Sequence, residues 1–415
     1  MGVVPGINPT IEREEFFASL RYWLPFGWLK IHGNRHRDEL IQKIEQYFGR
    51  KCVLFDGGRS ALYAILSNLD KDGRDEVILQ AFTCVVVPNA IRLAGYKPVF
   101  VDTEPDSVNM SVADLKSKIT PKTRAVMVQH TFGFPDKIDE IKNICEEKNI
   151  HLIEDLAHSL SGRFKDRLLG TFGDSAFLSF GSGKVITSGC GGAVITDDDA
   201  LYTRVKSFEE SLKYLLWTET FKQINRIIFF TISKPFYFIL HIGKAFIYFL
   251  RITGMTPITV TDDEKRGNLE KVRLFRLPNS LAHLALIQWE KLEKFLDHRR
   301  SLASIYESKL NFGKRLKFND GSSYLHYPIL VSNPKKIFSF LKKNHIQLIH
   351  EWEDGVLYPK GSNLYSAGYV DGTCPNAKKL GESVLTLPVS PTIKSSEAKD
   401  IINLLNDEKN QNFLN

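Results

Sequence analysis

Between residues 49 and 205, short apolar runs alternate with longer stretches of helical periodicity. That alternation constrains the fold more than any other feature of the chain. Cys52-Val-Leu-Phe55, Ala125-Val-Met-Val-Gln-His130 and His151-Leu-Ile-Glu-Asp155 read as strands, while Ala61–Ser67 and the stretch near Lys137–Glu147 read as helices. Strands apolar on both faces belong inside a sheet covered on both sides, and such sheets are largely parallel because the covering helices carry the crossovers. The chain therefore predicts an α/β fold, with a large, mostly parallel sheet domain over 49–205. A smaller C-terminal α/β domain follows over 266–415. Its predicted elements are one long helix over Ser280–Leu310, a strand over Tyr324–Val331, and helices over Pro334–Asn344 and Ser396–Leu405. Residues 1–48 read as an N-terminal arm with a helix near Asp38–Tyr47, and 206–265 as a basic, apolar insertion.

In open α/β sheets, ligands bind outside the C-terminal ends of the strands. Lys184 lies near such an end, in the glycine-bracketed loop Ser179-Phe-Gly-Ser-Gly-Lys184. A lysine there can be an ordinary solvated residue, or the amine that holds pyridoxal phosphate as a Schiff base. The second use requires a carboxylate to keep the pyridine nitrogen protonated, a cup of backbone N–H groups for the phosphate, and a partner for the ring hydroxyl. Asp155 closes a strand and can supply the carboxylate; the plain alternative is a helix cap or a loop acid. Gly57-Gly58-Arg59-Ser60 links a strand to a helix and can supply the cup, or be a turn capped by Ser60. Ser179 can add a hydroxyl donor. His158 can meet the ring hydroxyl or the substrate, or be structural. Gly181-Ser-Gly-Lys184 is not a nucleotide-binding P-loop, because Leu178 and Val185 stand where that motif needs Gly and Ser or Thr.

An ordered series of motifs extends this reading. Gly57-Gly-Arg-Ser-Ala-Leu62, Asp75-Glu-Val-Ile78, Pro88-Asn-Ala-Ile91, Lys97-Pro-Val-Phe-Val-Asp102 and Ile119-Thr-Pro-Lys-Thr-Arg-Ala125 come first. Glu154-Asp-Leu-Ala-His158, Phe172-Gly-Asp174 and Ser179–Lys184 follow, with later matches at Pro278–Trp289 and Cys374–Pro388. The series resembles the DegT/DnrJ/StrS family of sugar aminotransferases. The resemblance implies the fold type I of pyridoxal-phosphate-dependent transferases, with Lys184 as the cofactor lysine and Asp155 as the pyridinium partner. It implies that Gly58, Arg59 and Ser60 bind the phosphate through their backbone, together with Ser179. His158 stands where the family usually has glutamine, and the lysine argues against the family's dehydratase branch. Two positions depart from the pattern. Cys84 follows Ala81-Phe-Thr83 where an aromatic residue usually stacks on the ring, so either Cys84 gives a thinner contact or Phe82 swings across. Leu274-Phe-Arg-Leu277 replaces the usual Asn-Tyr-Arg-Met of a loop that reaches the neighbouring subunit's cofactor phosphate, leaving Arg276 to serve the charge there.

Composition narrows the remaining choices. Five cysteines without a CxxC pair make neither a zinc nor a disulfide framework, so no metal is expected and a reducing, cytoplasmic setting is. Met1-Gly-Val-Val-Pro-Gly6 lacks a basic apolar leader. A net charge of +7 without a base-reading basic helix suits acidic small molecules better than nucleic acid. Within the insertion, Ile227–Leu250 is dense in large apolar and aromatic residues, accompanied by Lys213, Lys222, Arg226, Lys234, Lys244 and Arg251 against Glu219 alone. Lys234-Pro235 and Lys244 interrupt it, which excludes a simple membrane span. Peripheral contact with an anionic membrane through 224–254 is one reading, and packing in a dimer interface or over the substrate channel is the other.

The sequence thus points to a pyridoxal-phosphate aminotransferase acting on a keto-sugar, nucleotide-linked, with glutamate as donor and a homodimer as the working unit. Two rivals stand beside it: a pyridoxal enzyme of elimination or decarboxylation, and a non-catalytic relative that binds a ligand.

Overall fold

The apolar runs become the strands of one seven-stranded sheet: β1 (Lys51–Phe55), β2 (Glu76–Gln80), β3 (Lys97–Val101), β4 (Thr123–Gln129), β5 (His151–Asp155), β6 (Ser175–Ser179) and β7 (Gly192–Thr196). The computed structural model describes residues 10–70, 72–237, 239, 242–316, 321–348, 352 and 355–414. Residues 1–9 of the expected arm, and Phe238, Leu240 and His241 of the insertion, lie outside the described residues. The spatial order is β1-β7-β6-β5-β4-β2-β3. Strands β3, β2, β4, β5 and β6 run parallel, and β7 runs antiparallel to both its neighbours. All five residues of β2 and of β7 are buried, as expected for strands covered on both faces. Phe55 pairs with Gly192 across β1 and β7, and Ser179 pairs with Gly192 across β6 and β7. A Cβ on Gly192 would lie 2.5 Å from the carbonyl carbon of Gly57, so only glycine lets the chain leaving β1 cross there.

A second apolar cluster lies in the C-terminal part. The strands Lys314–Arg315, Tyr327–Leu330 and Val384–Leu387 form an antiparallel sheet. Leu302, Tyr306, Ile337, Leu341, Ile401 and Leu405 pack around it. Two expectations change here. The long helix over Ser280–Leu310 is two helices, Asn279–Trp289 and Leu292–Lys309. Lys291 leaves helical geometry between them, and its ammonium reaches Glu12, Glu14 and Glu15 at 3.2, 2.5 and 2.7 Å. The strand expected from Tyr324 starts only at Tyr327. Upstream of it, the backbone N–H groups of Ser323 and Leu325 are spent on the carbonyls of Gly133 and Phe132, at 3.0 and 2.8 Å.

The insertion forms a helix over Trp217–Ser233, a short turn at Lys234–Phe236, and a helix over Ile242–Ile252. Gly243 fits against the Ser233 carbonyl and the Tyr237 backbone, where a Cβ would be 2.7 Å from either. Among the described residues, no helix is long and apolar enough to cross a membrane.

Candidate active site

The C-terminal ends of β1, β4, β5 and β6 open onto one cavity of about 370 Å³. Gly58, Arg59, Ser60, Cys84, Asp155, His158, Ser179 and Lys184 all line it. Sheet register explains the meeting. Gln129 pairs with Asp155 across β4 and β5, and Asp155 with Phe177 across β5 and β6, so residues some fifty positions apart in sequence end side by side.

Gly57 caps the helix Gly58–Ser67 in extended geometry, and the first N–H groups of that helix start at the cavity. A Cβ on Gly58 would sit 3.0 Å from Ser179 Cβ and 3.3 Å from Ser179 Oγ. The bare glycine therefore brings a helix N-terminus against a serine hydroxyl, which is the donor set an anion needs. The Ser60 hydroxyl points elsewhere and donates to Asp56 Oδ1 at 2.5 Å. The Arg59 guanidinium pairs with Glu264 and donates to the Thr259 carbonyl at 3.0 Å, so its side chain ties down the end of the insertion.

Asp155 is buried, and its Oδ1 accepts the Ala157 N–H at 2.8 Å. Burial pushes its carboxyl up to about 6, against the opposing pull of that N–H, the Lys184 ammonium and His130. Lys184 follows the tight turn at Gly181–Lys184, where its N–H donates to the Gly181 carbonyl at 3.2 Å and Gly183 takes φ +86°. Its positive charge acts on Asp155, His158 and His326 alike, and all four side chains line the one cavity. His158 is held well below its ordinary pKa by burial first, then by Lys184 and His326. Its Nδ1 accepts the Phe132 N–H at 3.3 Å, so the neutral ring carries its proton on Nε2 and offers a donor there.

Cys84 lines the cavity and Phe82 does not. Phe82 takes φ +63° and packs its ring against Trp352 at 5.5 Å and Phe132 at 5.9 Å. Trp352 lines the wall, edge-on to His158 at 5.2 Å and stacked with Tyr358 at 5.0 Å. The loop Thr131–Pro135 contributes nothing to the lining; Phe132 stacks on His158 at 5.9 Å and 9° from behind. Arg276, expected to serve the neighbouring subunit's cofactor phosphate, does not line the cavity of its own chain. Its Nε meets Glu209 at 2.8 Å, and its guanidinium lies over Tyr214. Sequence reasoning missed Asp56, Gln129, Trp352 and His326. Asp56 and Gln129 close strands as Asp155 does, so their position was a usable signal. Trp352 and His326 arrive from the C-terminal part, and no local pattern marks them.

The DegT/DnrJ/EryC1/StrS aminotransferase family model matches residues 10–215 and 245–406. The chain belongs to that family. GDP-perosamine synthase of Escherichia coli O157:H7 is 36% identical over 214 residues, covering 50% of this chain and 57% of that protein. The aligned part thus spans little more than half of that relative. A dTDP-4-dehydro-2,3,6-trideoxy-D-glucose 4-aminotransferase of Saccharopolyspora spinosa is 28% identical over 364 residues, 85% of this chain and 82% of that protein. Among solved structures, Helicobacter pylori PseC, an aminotransferase involved in the biosynthesis of pseudoaminic acid, superposes with a TM-score of 0.72 at 18% identity. It covers 97% of this chain and 98% of PseC, and shows that the family's fold is shared along the whole chain.

Proposed function

We propose that this member of the family is a pyridoxal-phosphate aminotransferase that moves an amino group from glutamate to a nucleotide-linked keto-sugar. The carrying observation is the placement of the Lys184 amine, the buried Asp155 carboxylate and the Gly58–Ser179 cradle around one cavity. The residues fit the cofactor. The helix N-terminus at Gly58 and the Ser179 hydroxyl suit its phosphate, and Asp155, kept from full ionisation by burial, gains by facing a cation. His158 Nε2–H suits a ring oxygen, and Cys84 with Trp352 bounds the ring faces. Bound here, pyridoxal phosphate would supply a carbonyl carbon for amine exchange and a ring that takes up electrons.

The chain's own groups divide the remaining work. Asp155 would hold positive charge on the ring nitrogen. Lys184 Nζ would anchor the resting cofactor and then act as base, taking the proton that leaves the α-carbon of glutamate. In the second half-reaction the same amine would deliver a proton to the sugar carbon that receives nitrogen. Trp352 and Phe82 back the site and keep bulk water from it. We place the working enzyme in the cytoplasm as a homodimer, following the family resemblance and the absence of any disulfide among its five cysteines.

The test is direct. Protein purified with pyridoxal phosphate should carry the coenzyme's absorption band, and borohydride should fix its mass on the peptide holding Lys184. Lys184→Ala should remove both and abolish formation of 2-oxoglutarate from glutamate. Turnover persisting in that variant removes Lys184 from the reaction, and product formed without stoichiometric 2-oxoglutarate rejects amino transfer in favour of elimination or decarboxylation.

A further inference from the structure

The described residues expose twenty-one large apolar side chains, and eighteen of them fall in two segments, 17–29 and 216–258. The segments are distant in sequence and joined in space. Trp23 lies tilted against Phe221 at 4.8 Å and donates from Nε1 to Asn225 Oδ1 at 3.0 Å, while Trp28 meets Trp217 at 5.3 Å. The helix Ile242–Ile252 extends the same surface, with Phe246 against Phe229 at 5.9 Å and Tyr248, Phe249 and Ile252 all exposed. A patch of this extent on a water-soluble surface marks a place of contact. The match to the family model skips 216–244, so much of the surface is additional to the family's common fold.

Charge selects the partner. Residues 16–37 and 213–258 hold ten lysines and arginines against the single acid Glu219. The whole chain is +7, so everything outside these two segments is slightly acidic. Arg21, Lys30, Arg35, Lys213, Lys234 and Arg251 are exposed among or beside the apolar side chains. A two-fold contact between copies would set this surface against itself, cation to cation. An anionic bilayer meets the same cations with opposite charge, and its headgroup boundary accepts tryptophan and phenylalanine beside lysine and arginine. We propose that the N-terminal segment 17–30 and the helical hairpin 217–252 together form a docking surface that seats the protein on an anionic membrane. The apolar side chains enter the headgroup boundary and the cations meet the lipid phosphates. No helix crosses.

Tryptophan fluorescence reads this surface well. Trp23, Trp28 and Trp217 lie in it, while Trp289 and Trp352 are buried. The full chain should sediment with phosphatidylcholine vesicles containing phosphatidylglycerol at least about tenfold more tightly than with pure phosphatidylcholine. Its emission should shift to the blue, and high salt should weaken both effects. Phe246→Glu with Phe249→Glu should lose the binding at an unchanged melting temperature. Phe26→Ser with Leu29→Ser, in the other segment, gives an independent variant if the first does not fold. Equal binding to neutral and anionic vesicles overturns the proposal, as does full binding by both folded variants. So does a wild-type protein that ignores vesicles while either variant dissociates into monomers in sedimentation velocity, because the surface is then a contact between copies. None of these outcomes depends on the cofactor.

Discussion

Two neighbouring acids at the end of β5 show how one residue step decides a role. Successive strand side chains point to opposite faces. Asp155 faces the cavity, whereas Glu154 faces away and accepts N–H groups from Gly170, Phe172 and Gly173 at 2.8, 2.7 and 2.8 Å. Burial alone would raise Glu154, but His130 and those N–H groups outweigh it and hold its carboxyl below the ordinary value. Asp155 goes the other way, to about 6. A carboxyl raised on folding contributes stability that is present below its unfolded pKa and is lost as pH rises through the folded one. In cofactor-free protein Asp155 is thus a liability above pH 6. Asp155→Asn should stabilise that protein at pH 8, by up to about 3 kcal/mol. The gain should vanish near pH 4, as followed by thermal melting, while cofactor affinity falls at least about tenfold. A variant destabilised at pH 8 would mean that Asp155 is held in the folded protein by a stronger cationic partner. His158→Gln should keep most activity, because an amide can still donate where Nε2–H does. His158→Ala should not, and relative turnover at saturating glutamate separates the two.

At the scale of elements, the sequence revealed what periodicity encodes and missed what long-range contacts impose. The strands at Cys52–Phe55 and His151–Asp155 and the helix at Pro334 lie where their patterns put them. The break at Glu290–Lys291 could not be read locally, because Lys291 meets three glutamates, Glu12, Glu14 and Glu15, at the start of the distant helix Arg13–Arg21. Phe82 and Trp352 were illegible for the same reason: a left-handed backbone and a distant ring decide which aromatic reaches the site. Glycine was the most legible site feature, since its conformational and steric uses are few. Gly58→Ala should force Ser179 aside by a few tenths of an ångström and weaken cofactor binding about tenfold, with a stability loss of about 1 kcal/mol. Gly192→Ala meets the Gly57 backbone, which cannot yield as a side chain can, and should cost more than about 2 kcal/mol. Denaturant midpoints, with cofactor titration, would rank the two; an equal effect on both readouts would mean that the sites are not distinct.

In the whole molecule, the insertion does not end at the apolar hairpin but returns to the active site. Pro257, Ile258, Thr259, Val260, Thr261 and Glu264 line the cavity beside the residues proposed to hold the cofactor. Three bonds fix this return: Glu264 takes Arg59, the Thr259 carbonyl takes the same guanidinium, and the Glu264 carbonyl accepts from Asn89 Nδ2 at 2.9 Å. Glu264 is buried, so removing its carboxylate strands Arg59 and loosens the anchored end. The hairpin itself packs on the helix Arg13–Arg21 and on Trp23 just beyond it, and should hold its place, so the loosening stays local. Glu264→Ala should therefore speed tryptic cleavage at Lys265 or Arg266 by about tenfold at native pH, with only a small fall in global melting temperature. Adding cofactor and substrate together should restore protection if the return segment closes on bound ligand. Cleavage no faster than in the wild type would show that the segment is held by the hairpin and not by the Arg59 anchor. In that case any membrane contact of the hairpin would be coupled to the cavity more rigidly than through one ion pair.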